Sequence, residues 1–298
     1  MMDPMVRIEQ ALNAAIEQSL VAAVAHTDGP DCPPQLAEAL RYSVFPGGQR
    51  IRPRLCLAVA CACGEDDPAI ADAAAASIEL MHCASLVHDD LPCFDNAPIR
   101  RGKPSVHQAY GERAAVLAGD ALIVLAFQIL ARGAATAPQR LAPLMGIVAR
   151  AVGMPSGIIA GQAWETEPKV SLSAYQQAKT GALFAASTMA GAAAAGAEPG
   201  PWRTLGEMLG EAYQVADDIR DAAGNAESLG KPVGQDVALD RPSAVRELGI
   251  PGAVKHLKQL LDTAMASIPS CSGIDGLRAV IMAEANRFLP EDLARRAA

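Results

Sequence analysis

His82-Cys-Ala-Ser-Leu-Val-His-Asp-Asp-Leu-Pro-Cys-Phe-Asp-Asn-Ala-Pro-Ile-Arg-Arg-Gly102 closes an alanine-rich helical run and packs Asp89, Asp90, Asp95, Arg100 and Arg101 into 13 residues. The run it closes, Asp67 to Val87, opens with Pro68, which a helix tolerates in its first turn, and reads as one long helix. The stretch therefore reads as a helix that carries acids at its tip. Acids beside bases at this density point to metal and phosphate together. Mg²⁺ takes a few carboxylate oxygens and shares substrate phosphates, while arginine forks hold the remaining phosphate oxygens. A second cluster, Asp217-Asp218-Ile-Arg-Asp221, lies far downstream, and its Asp217 and Asp221 share a helix face. Two such clusters, each with bases nearby, are far more specific than one.

Working outward, the same helical pattern recurs. Ile8 to Val24 has helical spacing and ends before the turn-rich Thr27 to Pro34. Ala114 to Leu130 is apolar nearly all round and is expected to be a central helix. Pro138, Pro143 and Pro155 punctuate further helices as far as Glu167, and Trp202 to Ala223 carries the second acidic cluster. The chain after Asp240 reads as three short amphipathic helices. Thr180 to Ala197 is uncharged over the length of a short membrane span, but its Ala/Gly content favours a buried bundle helix. Lys103 to Arg113 reads as a loop with short turns, and Gly224 to Asp240 as a loop. The sequence is 51% hydrophobic and only 4% aromatic, a composition suited to closely packed helices. With no linker to divide it, residues 1–298 read as one all-α domain.

A net charge of −8 excludes a broad basic face of the kind that nucleic acid or an anionic membrane requires. The seven cysteines form no Cys-x-x-Cys pair, which implies reduced, mostly buried thiols and a cytoplasmic protein. Met1 to Gln10 contains Asp3 and Glu9 and lacks an apolar core, so no signal peptide is expected there.

Phe45-Pro-Gly-Gly-Gln-Arg-Ile-Arg-Pro53 places Arg50, Arg52 and Arg54 at alternate positions after a glycine turn. By spacing alone this is either a solvated basic helix start or a phosphate-binding turn. Lys179, opening an otherwise uncharged helix, either snorkels to water or faces a ligand.

The order Gly-Gly-x-Arg-x-Arg-Pro, Asp-Asp-x-x-x-x-Asp with Arg-Arg-Gly, Lys-Thr-Gly and Gln-x-x-Asp-Asp-x-x-Asp, from Tyr42 to Gly249, resembles the trans-isoprenyl diphosphate synthases. Within them, Cys83 to Gly102 is most similar to the geranylgeranyl-forming members of pigment pathways. The resemblance implies an all-α bundle around a deep central cavity, a homodimer, and Mg²⁺ as cofactor, with three ions when substrate is bound and Mn²⁺ as a substitute. It assigns Asp89, Asp95, Asp217 and Asp221 to the metals, supported by Asp90 and Asp218. It assigns Arg100, Lys179, Thr180, Gln214 and Lys231 to the allylic diphosphate, with Lys179, Thr180 and Gln214 closest to the chemistry. Gln49, Arg52, His82 and Arg101 fall at isopentenyl diphosphate positions. Gln49 stands where the family usually has lysine, and Arg50 is expected to compensate. Ala84 and Ser85, about one turn below Asp89, are expected to set chain length. A small residue there, where C15-forming relatives carry a ring, implies a C20 product. The alternatives are a C15 synthase or a non-catalytic partner subunit, and a terpene cyclase fits the paired aspartate motifs poorly.

Overall fold

The structure is a computed structural model that describes residues 4–167, 172–223 and 243–288. Its helices are α1 (Pro4–Ala25), α2 (Pro34–Val44), α3 (Ile51–Ala62), α4 (Pro68–Asp89), α5 (Val106–Tyr110), α6 (Glu112–Gly133), α7 (Leu141–Val152), α8 (Ile158–Trp164), α9 (Leu172–Gln176), α10 (Ala182–Ala194), α11 (Arg203–Ala223), α12 (Ala244–Ala266) and α13 (Ile274–Phe288). A π-helical turn, Gln177–Gly181, joins α9 to α10. The described strands are two residues each, β1 (Ile99–Arg100) and β2 (Lys103–Pro104), paired antiparallel within the expected loop. The fold is all-α.

The centre is α4. Asp67 caps it by accepting from the Ala69 amide at 3.2 Å, which satisfies one of the free amides at the helix start. Its alanines are buried on nearly every face, so neighbouring helices approach closely. One core cluster surrounds it with side chains of α1, α2, α6, α7 and α10. A second fills the space between α3, α11, α12 and α13. Buried on almost all sides, α10 behaves as the Ala/Gly pattern of its sequence predicts.

The expectation for α6 needs correction. One flank packs on α4, where Gly119 makes room for the His88 ring and Gly133 for Ala73. The other flank leaves Val116, Leu117 and Val124 exposed by 42%, 53% and 57%. The helix is apolar all round because both flanks are, not because it is central. In α12 the backbone breaks at Gly249, φ 66°, just before Pro251. The C-terminal region thus retains the three-part helical pattern, with its first part only about a turn long.

The arginines after the glycine turn are also corrected. Arg50, in the left-handed region at φ 50°, is buried and donates to Glu79 at 2.5 Å, to Glu17 at 2.8 Å and to the Val44 carbonyl at 2.9 Å. Arg54 forks onto Glu284 at 2.6 and 2.9 Å and reaches Asn13 at 3.0 Å. These two guanidinium groups fasten α1, α4 and α13 to α3. Arg50 is therefore unavailable to compensate for Gln49, because moving it toward a phosphate would strand the buried Glu79.

Candidate active site

The end of α4 is folded back on itself. The Asp95 amide donates to the Asp89 carbonyl at 3.0 Å, Asn96 to Leu91 at 3.0 Å and Ala97 to Asp90 at 3.2 Å. This wraps the loop around the helix terminus and brings the Asp95 carboxylate beside that of Asp89. The β1–β2 hairpin then turns through Arg101 and Gly102, both with positive φ at 53° and 76°, the backbone that a two-residue hairpin requires. The turn separates two neighbouring arginines. Arg100 points to α4, where its guanidinium holds Asp90 through Nε at 2.9 Å and through Nη2. Arg101 lies against Gly48, where a Cβ would stand 2.7 Å from its guanidinium. Lys103 ties the hairpin to the glycine turn by donating to the Tyr42 and Phe45 carbonyls at 2.6 and 2.7 Å.

Three carboxylates converge beside α4. Ligand oxygens of Asp89, Asp95 and Glu165 lie within 4.8 Å of one another. An all-oxygen donor set of this kind fits a hard divalent cation such as Mg²⁺. Burial raises the Asp89 pKa, opposed by Lys179 and reinforced by Asp95. Asp90 is 2% exposed, and its pKa too is raised by burial against the pull of Arg100.

Glu165 was not foreseen from the sequence. Lys179 Nζ donates to Glu165 Oε1 at 2.6 Å and to Asp89 Oδ1 at 3.3 Å, and Tyr175 Oη donates to the same Glu165 oxygen at 2.6 Å. The signal lay in Gly161, four residues earlier. A Cβ there would stand 2.5 Å from the Lys179 backbone nitrogen, so only glycine lets α8 dock on the π turn and deliver Glu165 to Lys179. That docking requirement is invisible without the partner segment.

The π turn also reaches the second motif. Thr180, next to Lys179, donates to Gln214 Oε1 at 3.2 Å, and Gln214 Nε2 donates to Asp218 Oδ1 at 3.0 Å. Asp218 accepts in addition from the Ala244 amide at 2.7 Å. Asp217 pairs with Arg220 at 3.1 Å, and Asp218 and Asp221 are buried. Two glycines make this possible. At Gly206 a Cβ would meet the Ala185 backbone at 2.4 Å, and at Gly210 that of Gly181 at 2.9 Å. Helix α11 therefore lies directly on α10, and Gln214 comes within reach of Thr180. A cleft of about 200 Å³, lined by Gln177, Gln214 and Val215, opens beside this junction. Lys231 lies outside the described residues.

On the other side of α4, Arg52 stands over the Phe184 ring at 4.5 Å, and its Nη1 is 3.4 Å from His82 Nε2. Its Nε is buried without a hydrogen-bond partner. Burial lowers the Arg52 pKa, and burial plus the charges of Arg52, Arg101, Arg100 and Arg50 drives that of His82 well below the usual imidazole value. His82 is thus neutral at pH 7, and the orphaned Arg52 donor calls for an anion. Gln49 is exposed at the turn. Ser85 is half-buried with Oγ donating to the His82 carbonyl at 2.8 Å, and Ala84 is packed at 2% exposure.

Comparison with known proteins matches this arrangement to one family. The polyprenyl synthetase family model covers residues 33–272. The chain is 56% identical over 286 residues to a geranylgeranyl diphosphate synthase of Cereibacter sphaeroides, covering 96% of this chain and 99% of that protein. It is 54% identical to one of Rhodobacter capsulatus, covering 94% and 96%. A farnesyl diphosphate synthase of Geobacillus stearothermophilus is 37% identical over 90% of the chain and 93% of its own length. Among solved structures, a Helicobacter pylori geranyltransferase complexed with magnesium and isoprenyl diphosphate aligns with a TM-score of 0.80, 29% identity, and coverage of 95% of this chain and 98% of that one. A Zymomonas mobilis FPP/GFPP synthase aligns at 0.78 with 31% identity, covering 94% and 99%. With a family model spanning most of its length and full-length relatives above half identity, the chain belongs to the polyprenyl synthetase family, whose members are prenyltransferases.

Proposed function

We propose that this protein condenses isopentenyl diphosphate with allylic diphosphates and releases mainly geranylgeranyl diphosphate, C20. The observation that carries the reading is the π turn, whose adjacent Lys179 and Thr180 reach Asp89 of the first motif and Gln214, the partner of Asp218, in the second. The 56% and 54% identical relatives are both named geranylgeranyl diphosphate synthases, whereas the farnesyl-forming relative stands at 37%.

The allylic diphosphate must lose its leaving group to give a carbocation, which the double bond of isopentenyl diphosphate attacks before a proton departs. Separating those charges is the costly step. Bound magnesium supplies Lewis acidity to the departing diphosphate. Asp89, Asp95, Asp217 and Asp221 would hold the metals, with Glu165 close to the first pair; three ions with substrate bound, or Mn²⁺ in their place, would match the resemblance. Arg100 and Lys179 hold the leaving group, joined by Lys231. Thr180 is assigned to the reacting carbons, and Gln214 to the allylic diphosphate and its metals. Arg52, Arg101 and neutral His82 hold isopentenyl diphosphate, with Gln49 supplying a neutral contact where relatives have a charge. The aliphatic walls keep water from the cation.

The exposed Val116, Leu117 and Val124 of α6 supply the face for a homodimer, and the cytoplasm is the expected compartment. Chain length belongs to the wall formed by Ala84 and Ser85. With Mg²⁺, isopentenyl diphosphate and C5, C10 or C15 primers, chromatography of the products is expected to show C20 as the main species. Ala84→Phe is expected to stop at C15. A wild-type product ending at C15, or a folded and active Ala84→Phe that still makes C20, overturns this assignment of length. Absence of condensation by the folded wild-type chain overturns the synthase reading in favour of a partner subunit.

A further inference from the structure

Lys179 Nζ occupies an unusual position for a residue assigned to a phosphate. It sits 2.6 Å from Glu165 Oε1 and 3.3 Å from Asp89 Oδ1, and oxygens of those two carboxylates and of Asp95 lie within 4.8 Å of one another. The ammonium is therefore already lodged among the oxygens that a divalent cation would use. Mg²⁺ binds carboxylate oxygens at about 2.0–2.1 Å, so an ion bound to the Glu165 oxygen that Lys179 holds would lie within about 4.7 Å of Nζ. The two cations compete for the same oxygens and repel each other at that range.

We propose that the Lys179 ammonium is a placeholder cation in the first metal locus, seated there by Glu165, and that it gives up this place only when a diphosphate offers it another anion. This inference rests on the magnesium-dependent reading above and deepens it. In the ligand-free protein the ammonium offsets a set of carboxylates that would otherwise repel one another. Tyr175 donates to the same Glu165 oxygen, so Glu165 keeps its orientation after the ammonium leaves. The π turn lets Lys179 pivot on backbone already wider than an α-helix. Metal and diphosphate then bind together, each making room for the other, and Glu165 passes from ammonium to metal.

The consequence runs against the ordinary effect of deleting an active-site residue. Mn²⁺ binding to the full-length protein, followed by electron paramagnetic resonance with no diphosphate present, is the test. Removing a unit positive charge so close to a dication strengthens its binding by at least about tenfold, even at a surface-like effective dielectric. Lys179→Gln is therefore expected to bind Mn²⁺ more tightly than wild type, while Lys179→Arg, which keeps the charge, remains weak. Adding Glu165→Gln to Lys179→Gln is expected to abolish the gain. If circular dichroism shows Lys179→Gln to be misfolded, Lys179→Met carries the same comparison. Equal or weaker Mn²⁺ binding by the folded neutral variant overturns the proposal. No prenyl substrate enters this titration, so a wild-type chain that makes C20 beside a neutral variant without tighter binding refutes the placeholder alone. Lack of any condensation by the wild type refutes the reading beneath it.

Discussion

Asp89→Asn is expected to lower kcat for condensation by about a thousandfold while leaving the melting temperature unchanged or slightly higher. The two halves of this result have one origin. Asp89 shares its surroundings with Asp95, Glu165, Lys179 and Arg100, so under the proposed function its charge would hold the metals that neutralise the leaving diphosphate. Removing one preorganised electrostatic contact of this kind costs about a hundredfold to a thousandfold in rate, and the metal-binding role proposed for Asp89 puts the expected loss at the upper end. Stability moves otherwise. Burial holds the Asp89 pKa above the usual carboxylate value, so the fold disfavours the charged form near neutral pH. A neutral amide of the same shape removes that cost and the repulsion from Asp95. Labelled isopentenyl diphosphate turnover at saturation and a thermal melt on the same preparation check both halves. A loss of less than about tenfold in rate would remove Asp89 from the leaving-group site.

Arg50→Leu has the largest expected effect on stability, a loss of about 3–5 kcal/mol. Burial alone would lower the pKa of this guanidinium, but Glu79 and Glu17 outweigh it and hold the charge in place. Without Arg50, the Glu79 carboxylate is left at 2% exposure with its principal partner gone. The Val44 carbonyl also loses a donor. Urea unfolding measures the loss, and Arg50→Leu combined with Glu79→Leu is expected to recover much of it, because an apolar pair replaces a buried ion pair at little cost. At a temperature where the single variant remains folded, its KM for isopentenyl diphosphate is expected to stay near the wild-type value. A large rise in KM with unchanged stability would instead make Arg50 a phosphate ligand and restore it as compensation for Gln49.

The contrast between Arg50 and Arg52 shows what the sequence made legible. Both lie in one short motif with the same side chain, and the motif identifies the turn as functional. It does not reveal that Glu17 and Glu79, from two other helices, claim the first arginine while Phe184 and His82 flank the second. The helical fold was readable because alanine-rich runs, a Pro/Asp helix start and scattered Pro/Gly stops are local signals. The two aspartate motifs were readable because their acids lie close along the chain. Glu165 was not, since its role depends on Gly161 meeting the Lys179 backbone across two helices. The outward flank of α6 was misread for a related reason. Apolar periodicity shows that a face must be covered, and does not show by what.

The most direct test of the central claim, that carboxylate-held divalent cations drive the condensation, is the rate of C20 formation by the purified chain. It is measured from a C15 primer and isopentenyl diphosphate as EDTA removes Mg²⁺ and an excess of Mg²⁺ is then returned. Loss of product in EDTA and full recovery with Mg²⁺ is the expected result. Undiminished C20 formation in the chelator would contradict the account, leaving the convergence of Asp89, Asp95 and Glu165 without a role in the reaction.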